Sequence, residues 1–257
     1  MSWGAPKSDR GSRDRRIPYY LLIRDHFALL IEKGELLPGE KLPPEREVRD
    51  RFQTTRVTAR QALMQLEAEG LIYRENRRGW FVSPPRILYD PTANISFTES
   101  VIAQGRTPGS IVLSKEEISA SSWEMRHMGV EVGDPIFLIR RLRSIDGRAV
   151  LLEHLHINAE RCPGLLDLPL DRSLTELMAE HYGIIERRPF INMRPTALAG
   201  SQAEALGVAT GTPSLYLTRA ILDQFDQVVE LDQEFWRHDA IDIRVSMTDK
   251  LEEEAAA

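Results

Sequence analysis

Cysteine is nearly missing from this sequence: Cys162 is the only one in 257 residues. A single thiol excludes an internal disulfide framework and fits a reducing compartment. Beside Pro163 and Gly164 it reads as a packed side chain. Long apolar runs are missing too, since none approaches the roughly 20 residues of a membrane helix. The N-terminal MSWGAPKSDRGSRDRR carries charges with no apolar stretch behind them, which is not the pattern of a signal peptide. A cytoplasmic chain without a membrane partner is therefore expected. The six histidines are scattered. His154 and His156 share a strand face, but no third ligand stands at a suggestive spacing, so a metal site is not expected. There is no phosphate loop, no Gly-rich dinucleotide fingerprint and no Ser-His-Asp order. Neither a cofactor nor an enzymatic activity is expected.

What the chain does have is an uneven distribution of charge. The formal net charge is −6, yet residues 1–90 hold 17 Lys/Arg against 13 Asp/Glu, a surplus of four, while residues 91–257 hold 16 against 26, a deficit of ten. A basic part joined to an acidic one suits a chain that meets a polyanion with one end only. The length suits two domains, each with its own core. Residues 1–16 read as a disordered arm, 17–83 as the first domain, 84–94 as a linker stiffened by Pro84 and Pro85 and then irregular, 95–248 as the second domain, and 249–257 as a frayed tail.

In the first domain, Pro18 opens a helix to about Lys33, with Leu22, Phe27, Leu30 and Ile31 as packing candidates and Gly34 as its stop. Glu45–Phe52 is a short helix with Val48 and Phe52 on one face and Arg46, Arg49 and Arg51 on the others. Gln53-Thr54-Thr55 breaks the pattern, and Thr55 can cap the next helix. There Ala59, Ala62, Leu63, Leu66 and Ala68 are the expected inward stripe. Arg56, Thr58 and Arg60 are not needed by that stripe. A helix whose first turns carry Arg and Thr, behind a crossing helix, is how a helix-turn-helix offers a recognition helix to a major groove. Arg can grip a guanine edge in bidentate fashion, and Thr can reach a base or a phosphate. Gly70 ends the helix. Leu71-Ile72-Tyr73 and Trp80-Phe81-Val82 then form a hairpin whose tip carries Arg74, Asn76, Arg77 and Arg78, with Gly79 permitting the turn. Any one of these arginines is more simply a solvated surface residue. Their ordered set points to DNA.

LLPGEKLPPEREV, TTRVTARQALMQLEAEGLI and the RRGWFV wing resemble the winged helix-turn-helix of the GntR family of bacterial transcription regulators, over about Pro18 to Val82. The resemblance implies DNA contacts for Arg46, Arg56, Thr58, Arg60 and Gly79; Thr55, Arg77 and Arg78 join them as candidates. Two departures stand out. Pro44 replaces the usual Ser ahead of Glu-Arg-Glu, so that helix loses a capping hydroxyl, although Pro suits a first turn. The wing reads Asn-Arg-Arg-Gly-Trp instead of Gly-x-Gly-Thr.

The second domain reads as α+β around an antiparallel sheet. Helices are expected at Phe97–Gln104, Ser122–Met128, Leu174–Tyr182 (capped by Ser173, ended by Gly183) and Ala199–Leu206, and strands within Ser110–Ile118 and Ile241–Ser246. Asp146-Gly147 between two apolar-rich runs signals one hairpin, and Ser214–Asp223 with Val228–Trp236 makes another. The Gly-Asp-Pro turn, the Arg-Leu-Arg strand, Asp-Gly, the Ser-Leu-x-Glu-Leu helix and Leu-Gly-Val-x-x-Gly-x-Pro resemble the effector-binding domain of the HutC subfamily, which has a chorismate-lyase-like fold. That match spans about residues 95–247.

Arg141 and Arg143 lie two apart on one strand, hence on one face, with Glu153 on the partner strand. Two guanidiniums facing one way can hold a phosphate, phosphonate or carboxylate. They can equally form a cross-strand ion-pair ladder on an exposed face. Ser173 heads a helix, where an anion is also favoured, but is a cap in either case. Glu230 could accept from hydroxyl or ammonium groups. The resemblance places these positions, with Phe97 and Thr98, in an effector pocket.

The expectation is thus a homodimeric repressor whose hold on double-stranded operator DNA answers to a small anionic effector. Within the subfamily, IYRENRRGWFVSPPR is most similar to regulators of phosphonate use. An enzyme on the chorismate-lyase-like fold and a nonspecific DNA binder without effector are the alternatives.

Overall fold

A computed structural model of the chain describes residues 17–75, 78–91, 95–185 and 188–245. They fall into two units. One holds the residues up to Arg86 together with Pro195–Ser214 and Arg237–Ala240; the other holds Ile87–Arg194, Leu215–Trp236 and the residues from Ile241 onward.

The first unit is built on α1 (Tyr19–Glu32), α2 (Glu45–Arg51) and α3 (Arg56–Ala68), followed by a hairpin of β1 (Ile72–Glu75) and β2 (Gly79–Val82). Ile23, Phe27 and Leu30 of α1 meet Val48 and Phe52, the Ala59, Ala62, Leu63 and Leu66 stripe of α3, and Ile72, Trp80 and Val82 of the hairpin in one core. Two expected packing residues are corrected. In α1 it is Ile23 that is fully buried and Leu22 only in part, because the i, i+4, i+7 face runs through 23, 27 and 30. Ala68 is exposed, since two residues past Leu66 is about 200° around the helix, on the far side. The antiparallel hairpin sets Tyr73 opposite Phe81 and Arg74 opposite Trp80. Gly79 sits at φ +111, and a Cβ there would lie 3.2 Å from Lys41 Cε, so this turn requires glycine. Asn76 and Arg77 lie outside the described residues.

The second unit begins with β3 (Ile87–Tyr89), where an irregular connection was expected. It pairs in parallel with β10 (Ile241–Ile243); three residues with a partner some 150 positions away give no local signal. Next come α4 (Phe97–Ala103) with a Ser96/Glu99 capping box, β4 (Pro108–Ser119), and α5 (Ser122–Met128) with a Ser121/Glu124 box. β5 (Pro135–Ile145) and β6 (Arg148–Asn158) form the Asp146-Gly147 hairpin, both turn residues at positive φ, +50 and +79, as a type I′ turn demands. α6 (Leu174–Tyr182) follows, then β7 (Arg188–Ala197), α7 (Gly200–Ala205), and the β8 (Pro213–Leu222) and β9 (Val228–Arg237) hairpin.

The main sheet has the order β4-β5-β6-β9-β8-β7. β7 escaped the sequence reading because Pro189 and Pro195 interrupt it; as an edge strand it tolerates them. One sheet face carries Phe137, Ile139, Leu155 and Ile157 beneath Cys162, Leu165, Leu174, Leu177 and Met178. Cys162 is buried there, as its neighbours suggested. On the other face α5 covers Ile136 and Leu231 through Met128 and Trp123. His154 and His156 point to this second face. Burial and Arg140 hold the His154 pKa down to about 4, and His156 Nδ1 lies 3.1 Å from the Glu124 carboxylate.

Leu63→Ala, at the centre of the first core, is expected to cost about 2–5 kcal/mol, whereas Met64→Ala, half exposed on the opposite side of α3, stays within about 0.5 kcal/mol. Urea denaturation followed by far-UV circular dichroism reads both. Equal midpoint shifts would contradict the assigned face.

Candidate functional site

Two sets of arginines differ in kind. On the first unit, Thr55 is the α3 N-cap: its hydroxyl accepts from Thr58 N at 3.1 Å and lies 2.9 Å from the Thr58 hydroxyl. That bond fixes the helix start and sends the next side chains outward. Arg56 and Arg60 of α3 remain 77% and 57% exposed, and Arg46 of α2 85%. Glu45 lies 3.2 Å from Arg56 and 4.0 Å from Arg60. Ion pairs this exposed hold their partners weakly, so the guanidiniums can be taken by a stronger anion. Arg46, Arg49, Arg56 and Arg74 line one groove with Gly79 and Trp80. In the wing, Arg74 stacks 5.7 Å from the Trp80 ring and Arg78 lies 5.4 Å from Phe81 while pairing with Glu75. α2 starts at Pro44 without a side-chain cap, as the missing Ser implied. The structure thus brings Arg46, Thr55, Arg56, Thr58 and Arg60 together around the two-helix turn, with Arg78 and Gly79 in the wing; Arg77 lies outside the described residues.

On the second unit, a cavity of about 60 Å³ opens on the inner sheet face. Phe97, Arg141, Arg143, Glu153, Ser173 and Glu230 all line it, as do Arg219 and Asp232. Thr98 is not in the lining but supports it, accepting from Arg143 Nη2 at 3.1 Å. The expected geometry of Arg141 and Arg143 changes in one respect. They form neither an open anion clamp nor an exposed ladder, because both are buried against Glu153. Arg141 donates from Nε to Glu153 at 2.6 Å and from Nη1 to the Leu170 and Arg172 carbonyls at 3.0 and 3.1 Å. Arg143 reaches the same carboxylate oxygen at 3.3 Å and stacks 4.4 Å over the Phe97 ring. Its Nε is buried without a hydrogen-bond partner. Ser173 caps α6, accepting from Glu176 N at 3.3 Å.

The register explains the charge pattern. Glu153 stands directly opposite Arg141 on one side and Glu234 on the other. Burial pushes the Glu153 pKa up, but Arg141 and Arg143 outweigh it and hold the carboxyl below its ordinary range. The β9 carboxylates behave oppositely. Burial and the neighbouring Glu230 push Asp232 well up against the pull of Arg219, and burial raises Glu234. Arg219 donates to Asp232 at 3.1 Å and to Glu234 at 2.6 Å. The sequence reading missed Arg219, Asp232 and Glu234. Their signal was there: in VVELDQEFW the acids recur at every second position, on one face of a strand whose inward face would ordinarily be apolar.

The bacterial regulatory protein gntR family matches residues 20–82, and the UTRA domain matches residues 103–242, more than half the chain. The chain belongs to the GntR family. It is 31% identical over 223 residues to the HTH-type transcriptional repressor NagR of Bacillus subtilis, covering 87% of this chain and 92% of that one. It is 32% identical over 227 residues to the HTH-type transcriptional repressor PhnF of Mycolicibacterium smegmatis, covering 84% and 90%. The crystal structure of PhnF from Mycobacterium smegmatis superposes with a TM-score of 0.63 at 29% identity, over 89% of this chain and 100% of that one. This GntR protein is accordingly a transcription regulator with a winged helix-turn-helix and a UTRA effector domain, and the enzyme alternative falls with that membership. No helix among the described residues is long and apolar enough to cross a membrane.

Because the folded Glu153 pKa is depressed, its contribution to stability is full above the ordinary carboxylate value of 4.5 and is lost as pH falls through the lower folded value. Glu153→Gln leaves two buried guanidiniums without their shared carboxylate. The expected loss is about 3–5 kcal/mol at pH 7, with a flatter decline of stability below pH 4.5 than in the parent. Urea melts at several pH values test this, and a parallel acid limb in the variant would show that Glu153 is not the group responsible.

Proposed function

We propose that this GntR regulator is a homodimeric, cytoplasmic repressor that binds a near-palindromic operator and releases it when a small anionic metabolite, such as a phosphonate or sugar phosphate, enters the UTRA cavity. The observation that carries the DNA half is the cluster of exposed guanidiniums, Arg46, Arg56 and Arg60, around the capped start of α3. Arg56, Thr58 and Arg60 read base edges or phosphates in the major groove, and Arg46 and Thr55 brace the turn on the backbone. Arg77, Arg78 and Gly79 place the wing beside an adjacent phosphate or minor groove. Two-fold symmetry of a dimer imposes the palindrome. The repressor sign is supported by the relatives, since both NagR and PhnF are named transcriptional repressors.

For the effector half, support comes from the buried arginines at the cavity. Arg143 keeps one unpartnered N–H, and the start of α6 at Ser173 lines the cavity, where a helix N-terminus favours an anion. The cavity's volume leaves room for roughly four to six water-sized groups, which favours a compact effector. Release of DNA then requires that the effector bind the DNA-incompetent state more tightly than the competent one.

Selection of random duplexes by the full chain tests the DNA half. A single preferred site with inverted half-sites is expected. Arg56→Ala should lose about 5- to 150-fold on that site, the worth of one bidentate base contact, with little change on unrelated DNA. Arg78→Ala should weaken both alike and lower the salt slope by about one. Enrichment of no sequence at all would instead support a nonspecific binder.

A further inference from the structure

The groove lined by Arg46, Arg49, Arg56 and Arg74 also contains a carboxylate, that of Glu45, the first residue of α2. An acid where a polyanion docks opposes binding, because it repels the phosphates that the arginines attract. Arg56 and Arg60 lie four apart on α3, hence on one face, and Glu45 stands across from both. Its Oε2 accepts from Arg56 Nε at 3.2 Å, and its Oε1 lies 4.0 Å from Arg60 Nε. The closest approach in each case is to Nε, not to the terminal Nη groups that complete a bidentate grip on a guanine edge. Other acids on this unit pair more locally: Asp50 with Arg46 and Arg49 inside α2, and Glu75 with Arg78 inside the wing. Neither sets the position of an α3 side chain. Glu45 bridges the two helices of the turn and is only 19% exposed, against 77% and 57% for its arginines.

We infer that Glu45 is a positioning residue for DNA recognition: it orients Arg56 and Arg60 toward bases and penalises DNA that draws them away to phosphates. This rests on the reading of α3 as the recognition helix and goes on to say how that helix discriminates. On an operator, both arginines keep their Nε edges toward Glu45 while their Nη groups address the groove, so the carboxylate stays neutralised. On unrelated DNA the phosphates are the acceptors on offer. Guanidiniums that turn to them leave a partly buried carboxylate unpaired beside a polyanion, which costs binding. The ion pairs themselves are weak, so the discrimination lies in the carboxylate left behind.

The test uses the full chain, the duplex that selection enriches and a scrambled duplex of the same length and composition, with affinities read by fluorescence anisotropy at several salt concentrations. Glu45→Gln keeps the shape and removes the charge. It should bind the scrambled duplex about fivefold tighter, with a salt slope steeper by about one, and gain nothing on the selected duplex. Glu45→Asp keeps the charge but reaches less far, so it should lose about threefold or more on the selected duplex without the gain on scrambled DNA. Affinities of Glu45→Gln that fall together on both duplexes, or match the parent on both, would overturn the inference, since a merely structural carboxylate behaves that way. A new base preference on reselection with Glu45→Gln would overturn it too, because the carboxylate would then be reading a base itself. A parent that enriches no duplex, or binds the two equally, would remove the recognition-helix reading and the inference with it.

Discussion

The buried carboxylate of Glu153 is the group around which the effector domain is arranged. Two charges inside a protein are tolerated only when they are paired and their remaining hydrogen-bonding capacity is used. β-Pairing places Glu153 beside Arg141, and Arg141 donates from Nη1 to the Leu170 and Arg172 carbonyls. That fixes the segment leading into α6, and so the position of Ser173. Arg143, on the same carboxylate, reaches Thr98 and stacks on Phe97, which fixes the start of α4. One carboxylate thus ties two otherwise distant segments to one end of a cavity. The cavity's shape follows from charge pairing as much as from apolar packing.

The same residue type does opposite work in the two units. Arg46, Arg56 and Arg60 are exposed and weakly held, so their charge is available to a partner that supplies many phosphates and releases counterions. Arg141 and Arg143 are almost fully desolvated and mostly committed within the chain. Whole-chain charge hides this division. The acidic surplus of residues 91–257 is partly internal: Glu153, Glu230, Asp232 and Glu234 are all buried, so part of the negative charge that masks the basic DNA-binding end belongs to the site instead of the surface.

Much of this was legible in the residues, and the failures have physical causes. Leu63 and Leu66 on α3, the Thr55 cap, the Asp146-Gly147 turn and the Ser173 cap depend on neighbours a few positions away, and local periodicity or turn chemistry declares them. β3 and β7 depend on distant partners: Ile87–Tyr89 is a strand only because Ile241–Ile243 lies beside it, and the prolines of β7 are tolerated only because it lies at an edge. Arg141, Arg143 and Glu153 could be placed on facing strands from the hairpin alone. Their burial could not, because it is the cover from the Cys162–Met178 region that removes water from that face. Arg219 and the β9 acids were visible as an alternation, but an alternating polar strand reads equally well as a solvent face until the sheet order puts β9 beside β6.

Those burials also limit what a ligand can gain. A group entering a cavity whose charges are already paired earns little by repeating an existing bond, since it must displace one to make another. Net gain comes from atoms left without a partner, because the cost of desolvating them has already been met by folding. Arg143 Nε and Asp232 Oδ1 are such atoms in the cavity lining, and they have opposite hydrogen-bonding sense. A ligand that the DNA-competent and DNA-incompetent states bind equally well would shift no equilibrium, however tightly it were held.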